Sequence, residues 1–182
     1  MARYIELKTD RLLLKSVTPN LIDEFFDKKD KSEVLEYFQT DDDGYARLLE
    51  MYEGGMETYR ISMFYFLVVN LESKVVIGEC GFHTWNRLHR RAEIFYFLRN
   101  DADKRQGFMS EAVAKVLEYG FNELNIHRVQ ALVANDNLAS IKLVQKFGFT
   151  FEGTAREDYF IDGKNEDSQC YSLVKNPLKS YL

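Results

Sequence analysis

The chain predicts a mixed α/β fold, a sheet with helices on both faces. Three observations predict it. Apolar segments with strand-like composition recur at 63–70, 75–83, 92–98 and 128–134. Helical periodicity separates the later ones: after 98 comes a basic turn, then an apolar stripe of Ala112, Val113, Val116, Leu117 and Phe121. The order of strands, helix, strand, helix, strands calls for a layered α/β architecture. Finally, 182 residues with 46% hydrophobic content, two prolines and no linker or repeat fit one domain over 1–182, large enough for a sizeable core.

Each element has a local reason. A Thr9-Asp10 turn precedes Arg11-Leu12-Leu13-Leu14-Lys15, a short buried-strand pattern. Thr18-Pro19-Asn20 opens a helix, since proline at an early helical position lacks only an N–H that has no intrahelical partner. Leu21, Ile22, Phe25 and Phe26 give it one apolar face. A second helical region covers 31–59, broken at Gly54-Gly55. Strands 63–70 and 75–83 pair through the turn 71–74, and Gly78, Gly81 and the polar run 84–91 end that hairpin. Strand 92–98 leads into helix 110–121, where Gly120 permits close packing. After strand 128–134, Asn137 caps a helix through its side-chain oxygen, and Gly148 ends it in a left-handed conformation. Segments 149–151 and 170–174 supply the last strands.

Composition narrows the function. A net charge of −5 gives no support to nucleic-acid binding through a broad basic surface. Cys80 and Cys170 have no metal-site spacing, and His83, His89 and His127 form no HxxxH pair, so no metal is expected. The start of the chain lacks an apolar signal core, and the longest apolar run, 63–69, is too short to span a bilayer. No membrane partner and a cytoplasmic location are therefore the expectation.

The most informative stretch is Lys104-Arg105-Gln106-Gly107-Phe108-Met109-Ser110-Glu111-Ala112. A strand, a basic turn with a glycine and a helix start make an anion site: the helix N-terminus presents unpaired N–H groups and the positive end of its dipole. Glycine lets the backbone approach a phosphate. Neither the Walker A spacing nor the three-glycine dinucleotide fingerprint is present. The stretch resembles the acetyl-CoA loop of the GNAT acetyltransferases, Arg/Gln-x-x-Gly-x-Gly/Ala, with Lys104, Gly107 and Met109 at its three positions. Lys and Met depart from the strict pattern in the manner of the RimJ/RimL-like branch, the ribosomal-protein N-acetyltransferase type.

Further points carry the resemblance: Thr9-Asp10-Arg11-Leu12, Arg91-Ala92-Glu93-Ile94, Tyr119-Gly120-Phe121, His127-Arg128-Val129, Asn137-x-x-Ser140, Lys146-Phe147-Gly148-Phe149, Glu152-Gly153-Thr154 and Asp167-x-x-x-Tyr171-Ser172. They span most of the chain, and the weakest part is 29–61. The resemblance implies a GNAT fold, a mixed and mostly antiparallel sheet whose central strands 92–98 and 128–134 splay into a slot for CoA. It implies an acetyl group passed from acetyl-CoA to a primary amine by direct attack in a ternary complex. The acceptor is a protein N-terminal α-amine or a small amine. Many relatives dimerise, so a homodimer is allowed, although no dimer face is legible.

Residue by residue, the resemblance implies that the backbone N–H groups of Arg105, Gln106, Gly107, Phe108 and Met109, at the start of the helix carrying Ser110, cradle the pyrophosphate. Lys104 and Arg105 add charge there, or stand as a solvated basic pair. Phe97 and Leu98 pair with the pantetheine arm, and a backbone N–H of their strand polarises the thioester carbonyl. Asn137 and Ser140, one helical turn apart, share a face. Asn137 contacts pantetheine, and Ser140 protonates the departing thiolate or is a bystander. Val144 and Phe147 on that helix cannot donate a proton. An amine must lose a proton before it attacks, and Glu93 is the first candidate base. Glu93 paired with Arg90 or Arg91 is the competing reading; Glu152, Glu157 and Asp158 are further carboxylates. Tyr159, Phe160, Trp85 and Tyr171 line the acceptor cleft or pack the core, and His83 and His89 are more readily structural than catalytic. A different class stays open, an acetyl-CoA sensor without turnover; Ser140 and Glu93 favour the enzyme.

Overall fold

The computed structural model describes residues 4–57 and 62–176. Among them the order is β1 (Glu6–Lys8), β2 (Leu12–Val17), α1 (Pro19–Lys28), α2 (Lys31–Phe38), α3 (Asp42–Gly54), β3 (Ser62–Asn70), β4 (Val76–Asn86) and β5 (Arg91–Leu98). A short 3-10 turn, Asp101–Asp103, then precedes α4 (Phe108–Asn122), β6 (Arg128–Ala134), α5 (Leu138–Lys146), β7 (Thr150–Ile161) and β8 (Lys164–Val174). The strands form one sheet in the order β1-β2-β3-β4-β5-β6-β8-β7. Its pairings are antiparallel except the central one: β5 and β6 run parallel and pair only at Arg91–Arg128, Ala92–Val129 and Glu93–Gln130. Beyond Glu93 the two strands part.

Helices cover both faces, and β3 shows why. Its side chains are buried on both sides. Phe64, Phe66 and Val68 join the cluster built with Ala112, Val116, Leu117 and Phe121 of α4, whereas Tyr65, Leu67 and Val69 meet Ile22, Val34 and Leu48 of α1–α3. Alternation sends successive residues to opposite faces, so a strand apolar at every position must lie between two layers. Gly120 allows α4 to sit down on β4: a Cβ there would lie 2.6 Å from Cζ of Phe82.

Capping follows sequence chemistry. Thr18 accepts from the Leu21 N–H at the start of α1, and Pro19 takes the first helical position. Asp30 and Glu33 form a reciprocal capping box on α2. Gln39, left-handed at φ 48°, ends α2, and Asp41 starts α3 by accepting from the Gly44 N–H. The expected helical region 31–59 is therefore two helices, and its end at 58–59 lies outside the described residues. The helix expected from Ser110 starts earlier, at Phe108, because left-handed Gly107 is its N-cap. The largest departure is at the end of the chain: 149–151 and 170–174 belong to a long hairpin of 12 and 11 residues, closed by Asp162-Gly163.

Candidate active site

At the Leu98 end of β5 the chain turns through Asp101–Asp103 into the loop 104–107. Arg105 and Gly107 are both left-handed, at φ 63° and 84°. Alternation of backbone handedness turns successive N–H groups to one side and makes an anion-binding concavity. The N–H groups of Phe108, Met109 and Ser110 begin α4 with no side-chain cap on them. This is the strand-turn-helix arrangement read from the sequence, with the helix start brought into the loop.

The loop side chains play other parts. Lys104 pairs with Asp101 at 2.6 Å and both are exposed, so the pair adds little. Gln106 turns its amide back onto the Ala102 carbonyl at 2.6 Å. Phe108 is buried beneath the Arg11 guanidinium, 4.6 Å from its ring centre, and Met109 packs on the core. Ser110 accepts from Lys146 Nζ. A hollow of about 830 Å³ beside the first turns of α4 is lined in part by four basic residues, Lys8, Arg11, Lys115 and Lys146, and by two acidic ones, Asp10 and Glu111.

The loop is fastened by a contact that local reading could not find. Glu111, on the first turn of α4, accepts from the Arg11 backbone N–H at 2.9 Å, from Arg11 Nε at 2.8 Å and from the Thr9 hydroxyl. Arg11 also donates to the Gln106 carbonyl at 3.0 Å. Burial works against the Glu111 charge, but the hydrogen bonds from Thr9 and Arg11 outweigh it and hold the carboxyl below its usual range. Thr9 and Arg11 lie about a hundred residues from Glu111, so only the folded sheet brings them together.

Where β5 and β6 part, a cavity of about 210 Å³ opens between them; Glu93, Tyr96, Ala134, Asn137, Ser140 and Tyr159 are among the residues around it. Asn137 Oδ1 accepts from the Ser140 N–H at 3.1 Å, the capping geometry expected for it. The Ser140 and Tyr96 hydroxyls share this cavity, and Tyr96 is a residue the sequence reading passed over. Burial raises the Tyr96 pKa and keeps the phenol protonated, while interaction with Ser140 partly offsets that rise. Phe97 and Leu98 pair with Glu79 and Gly78 of β4 and connect the cavity to the loop; Phe97 is 40% exposed.

Glu93 stands at the apex of the splay. Its carboxylate lies 3.5 Å from His83 Nε2. Arg90 is turned away, its Nε donating to the Asn125 carbonyl, so the side chain nearest the carboxylate is the histidine. Burial raises the Glu93 pKa, Asp158 adds like-charge repulsion, and a Tyr159 hydrogen bond partly opposes both. Behind it a second hollow of about 180 Å³ is lined by Thr84, Arg91, Ala92, Glu93, Arg128 and Gln130. Glu93 thus faces both hollows, a position suited to a group that meets two substrates.

The other candidates separate. Glu152 is held by Arg128 and Ser172, which outweigh its slight burial and bring its pKa down to about 2, so it is a poor base. Glu157 and Asp158 are exposed. Trp85 and Tyr171 are core residues, Phe160 is exposed, and Tyr159 alone of the four aromatic candidates reaches the cavity. His89 is exposed at the turn after β4, and His83 lies at the site.

Residues 11–150 match the family described as acetyltransferase (GNAT) domain. The chain is 33% identical over 171 residues to YoaA, an uncharacterised N-acetyltransferase of Bacillus subtilis, covering 93% of this chain and 96% of that one. It is 29% identical over 109 residues to the spermidine N(1)-acetyltransferase of Vibrio cholerae, covering 60% of this chain and 62% of that one. In fold it is similar to the ribosomal-protein-S5-alanine acetyltransferase of Vibrio fischeri, with a TM-score of 0.69, 20% identity and coverage of 96% and 99%.

Proposed function

The chain belongs to the GNAT acetyltransferase family, and from that premise we propose that it passes an acetyl group directly from acetyl-CoA to a primary amine in a ternary complex. The observation that carries this reading is the parting of β5 from β6 after Glu93, with an uncapped helix start at one end of the exposed edge and a half-buried carboxylate at the other.

In this reading the N–H groups of Arg105, Gln106, Gly107, Phe108 and Met109 hold the pyrophosphate, and the cations beside α4 surround it. Arg11 and Glu111 fix the loop before the ligand arrives, so less ordering entropy is lost on binding. The pantetheine arm lies along β5 past Leu98 and Phe97 as an added neighbour. A β5 N–H polarises the thioester carbonyl. Glu93 accepts a proton from the acceptor ammonium, and the free amine attacks the carbonyl carbon. As the C–S bond breaks, the thiolate takes a proton from the Ser140–Tyr96 hydroxyl pair, and the second proton shed by the nitrogen as the amide forms returns to that pair. Tyr96 thereby supplies the donor that Val144 and Phe147 cannot.

The acceptor is an N-terminal α-amine or a small amine; spermidine is named for one relative and ribosomal-protein-S5 alanine for one structural neighbour. Family membership supports turnover over an acetyl-CoA sensor. The test is thiol release from acetyl-CoA with a panel of N-terminal peptides, spermidine and other small amines. Acceptor-dependent release is expected; tight acetyl-CoA binding with no release for any acceptor would contradict the reading.

A further inference from the structure

His83 and Glu93 are register partners across β4 and β5, so their side chains leave the sheet on the same face. The gap from Nε2 to the carboxylate is 3.5 Å, a small side-chain rotation from a hydrogen bond. The histidine ring is itself aimed. Its Nδ1 lies 2.7 Å from the hydroxyl of Thr84. Thr84 adopts φ 49°, a left-handed conformation that a β-branched residue rarely takes, and it sits where the β4–β5 register is interrupted between His83 and Asn86. Such a conformation persists only where the surrounding structure over-determines it, and clusters at working sites. With Nδ1–H donating to Thr84, the lone pair of Nε2 faces Glu93. The His83 side chain is 38% exposed and that of Glu93 13% exposed, so the histidine is the member of the pair that reaches water.

We propose that His83 is the second proton acceptor of the reaction: it takes from Glu93 the proton that Glu93 removes from the acceptor ammonium, and releases it to solvent. The inference rests on the reading of Glu93 as base. The steps balance. The N–H bond of the ammonium breaks as the O–H bond of Glu93 forms. That O–H then breaks as Nε2 gains the proton, leaving the carboxylate restored and the imidazolium to discharge to water. Without such an exit, a half-buried acid would keep its proton and stall the next cycle. The surroundings suit transfer in both directions. Burial raises the carboxyl pKa and lowers the imidazole pKa, which narrows the gap between them. The titratable and charged groups about the pair are Asp158 and Tyr159 of β7, Arg91 of β5 and Arg128 of β6 on the hollow behind Glu93, and Cys170 of β8; Phe95 packs on the imidazole.

The test uses the full chain with acetyl-CoA and two probe acceptors, spermidine and a peptide beginning with alanine. His83→Gln keeps a polar side chain without a titrating base, and His83→Ala leaves room for an added one. Both variants are expected to bind acetyl-CoA as the parent does, a check on folding. Both are expected to lose about tenfold or more in turnover, less than the roughly 100-fold or more expected of the group that takes the substrate's own proton. Imidazole added to His83→Ala should restore rate in proportion to its concentration, and should do nothing for Glu93→Gln. Loss without imidazole rescue would assign His83 a merely structural part and overturn the proposal. A slow Glu93→Gln beside a His83→Gln indistinguishable from the parent at every pH would overturn the relay and leave the base standing. A Glu93→Gln with parental rate and pH profile, or a parent inert toward both acceptors, would remove the base and the relay together.

Discussion

At the Leu98 end of β5, the loop and first turn of α4 are held by Arg11, Thr9 and Glu111, by Gln106 on Ala102 and by the left-handed turns at Arg105 and Gly107. At the Glu93 end, the carboxylate has a histidine just outside hydrogen-bond range and a tyrosine borrowed from the exposed hairpin β7–β8. The first end is clamped by side chains while its helix N–H groups stay open to a ligand; the second is half-buried and only partly paired. A binding site benefits from pre-ordered donors, whereas a base must keep an electrostatically unfavourable charge to hold its proton affinity near the working pH. The two ends should therefore separate experimentally into affinity and rate.

The largest effect is expected at the reacting end. Glu93→Gln should lower turnover about 100-fold or more, the scale of general base catalysis, with acetyl-CoA affinity unchanged. Because burial raises this carboxyl pKa, the acidic limb of the parental rate profile should lie above the ordinary carboxylate range, and activity should fall as pH drops through it. The sign for stability is opposite. The folded state holds the proton more tightly than the unfolded chain, so the parent loses stability as pH rises through the shifted pKa. Glu93→Gln should then melt slightly higher than the parent at neutral pH, read by thermal unfolding; a lower melting temperature would contradict the strained-charge account.

Ser140→Ala should lower turnover only several-fold while Tyr96 remains, and the double variant with Tyr96→Phe should fall further than the product of the single effects. Multiplicative single effects would mean the hydroxyls do not act as a pair.

At the binding end, Gly107→Ala places a Cβ at φ 84°, costing about 1–2 kcal/mol, and should weaken acetyl-CoA about tenfold by calorimetry with turnover at saturation retained. Glu111→Gln should raise the acetyl-CoA KM a few-fold. Its carboxyl is held below the usual range, so the stability it supplies is present above the unfolded value and lost as pH falls through the folded one. Lys104→Ala, the smallest change, should leave affinity within about twofold, since an exposed pair is worth little.

The geometry at the Leu98 end was legible in the sequence because it is local: strand, glycine turn and helix start are contiguous, as is the Asn137 cap. Glu93 was legible as a carboxylate on β5, but its neighbour was not, since register decides that His83 rather than Arg90 or Arg91 faces it. The Arg11–Glu111 clamp needs two segments brought together by the sheet. The β7–β8 hairpin was underestimated because residues 156–161 of β7 are all exposed, leaving no alternation to read. One strong signal did stand there: Asp162-Gly163, both at positive φ, is the dipeptide that tight hairpins favour. In the helical region, Asp30 with Glu33 marked the start of α2, but nothing in the pattern marked the left-handed Gln39 that ends it.

The most direct test of the central claim measures acetyl-CoA binding and acceptor-dependent CoA release on Glu93→Gln side by side. Parental affinity with release reduced about 100-fold is the result expected of a base at the apex of the splay. Parental release, or a loss of affinity matching the loss of rate, would contradict it.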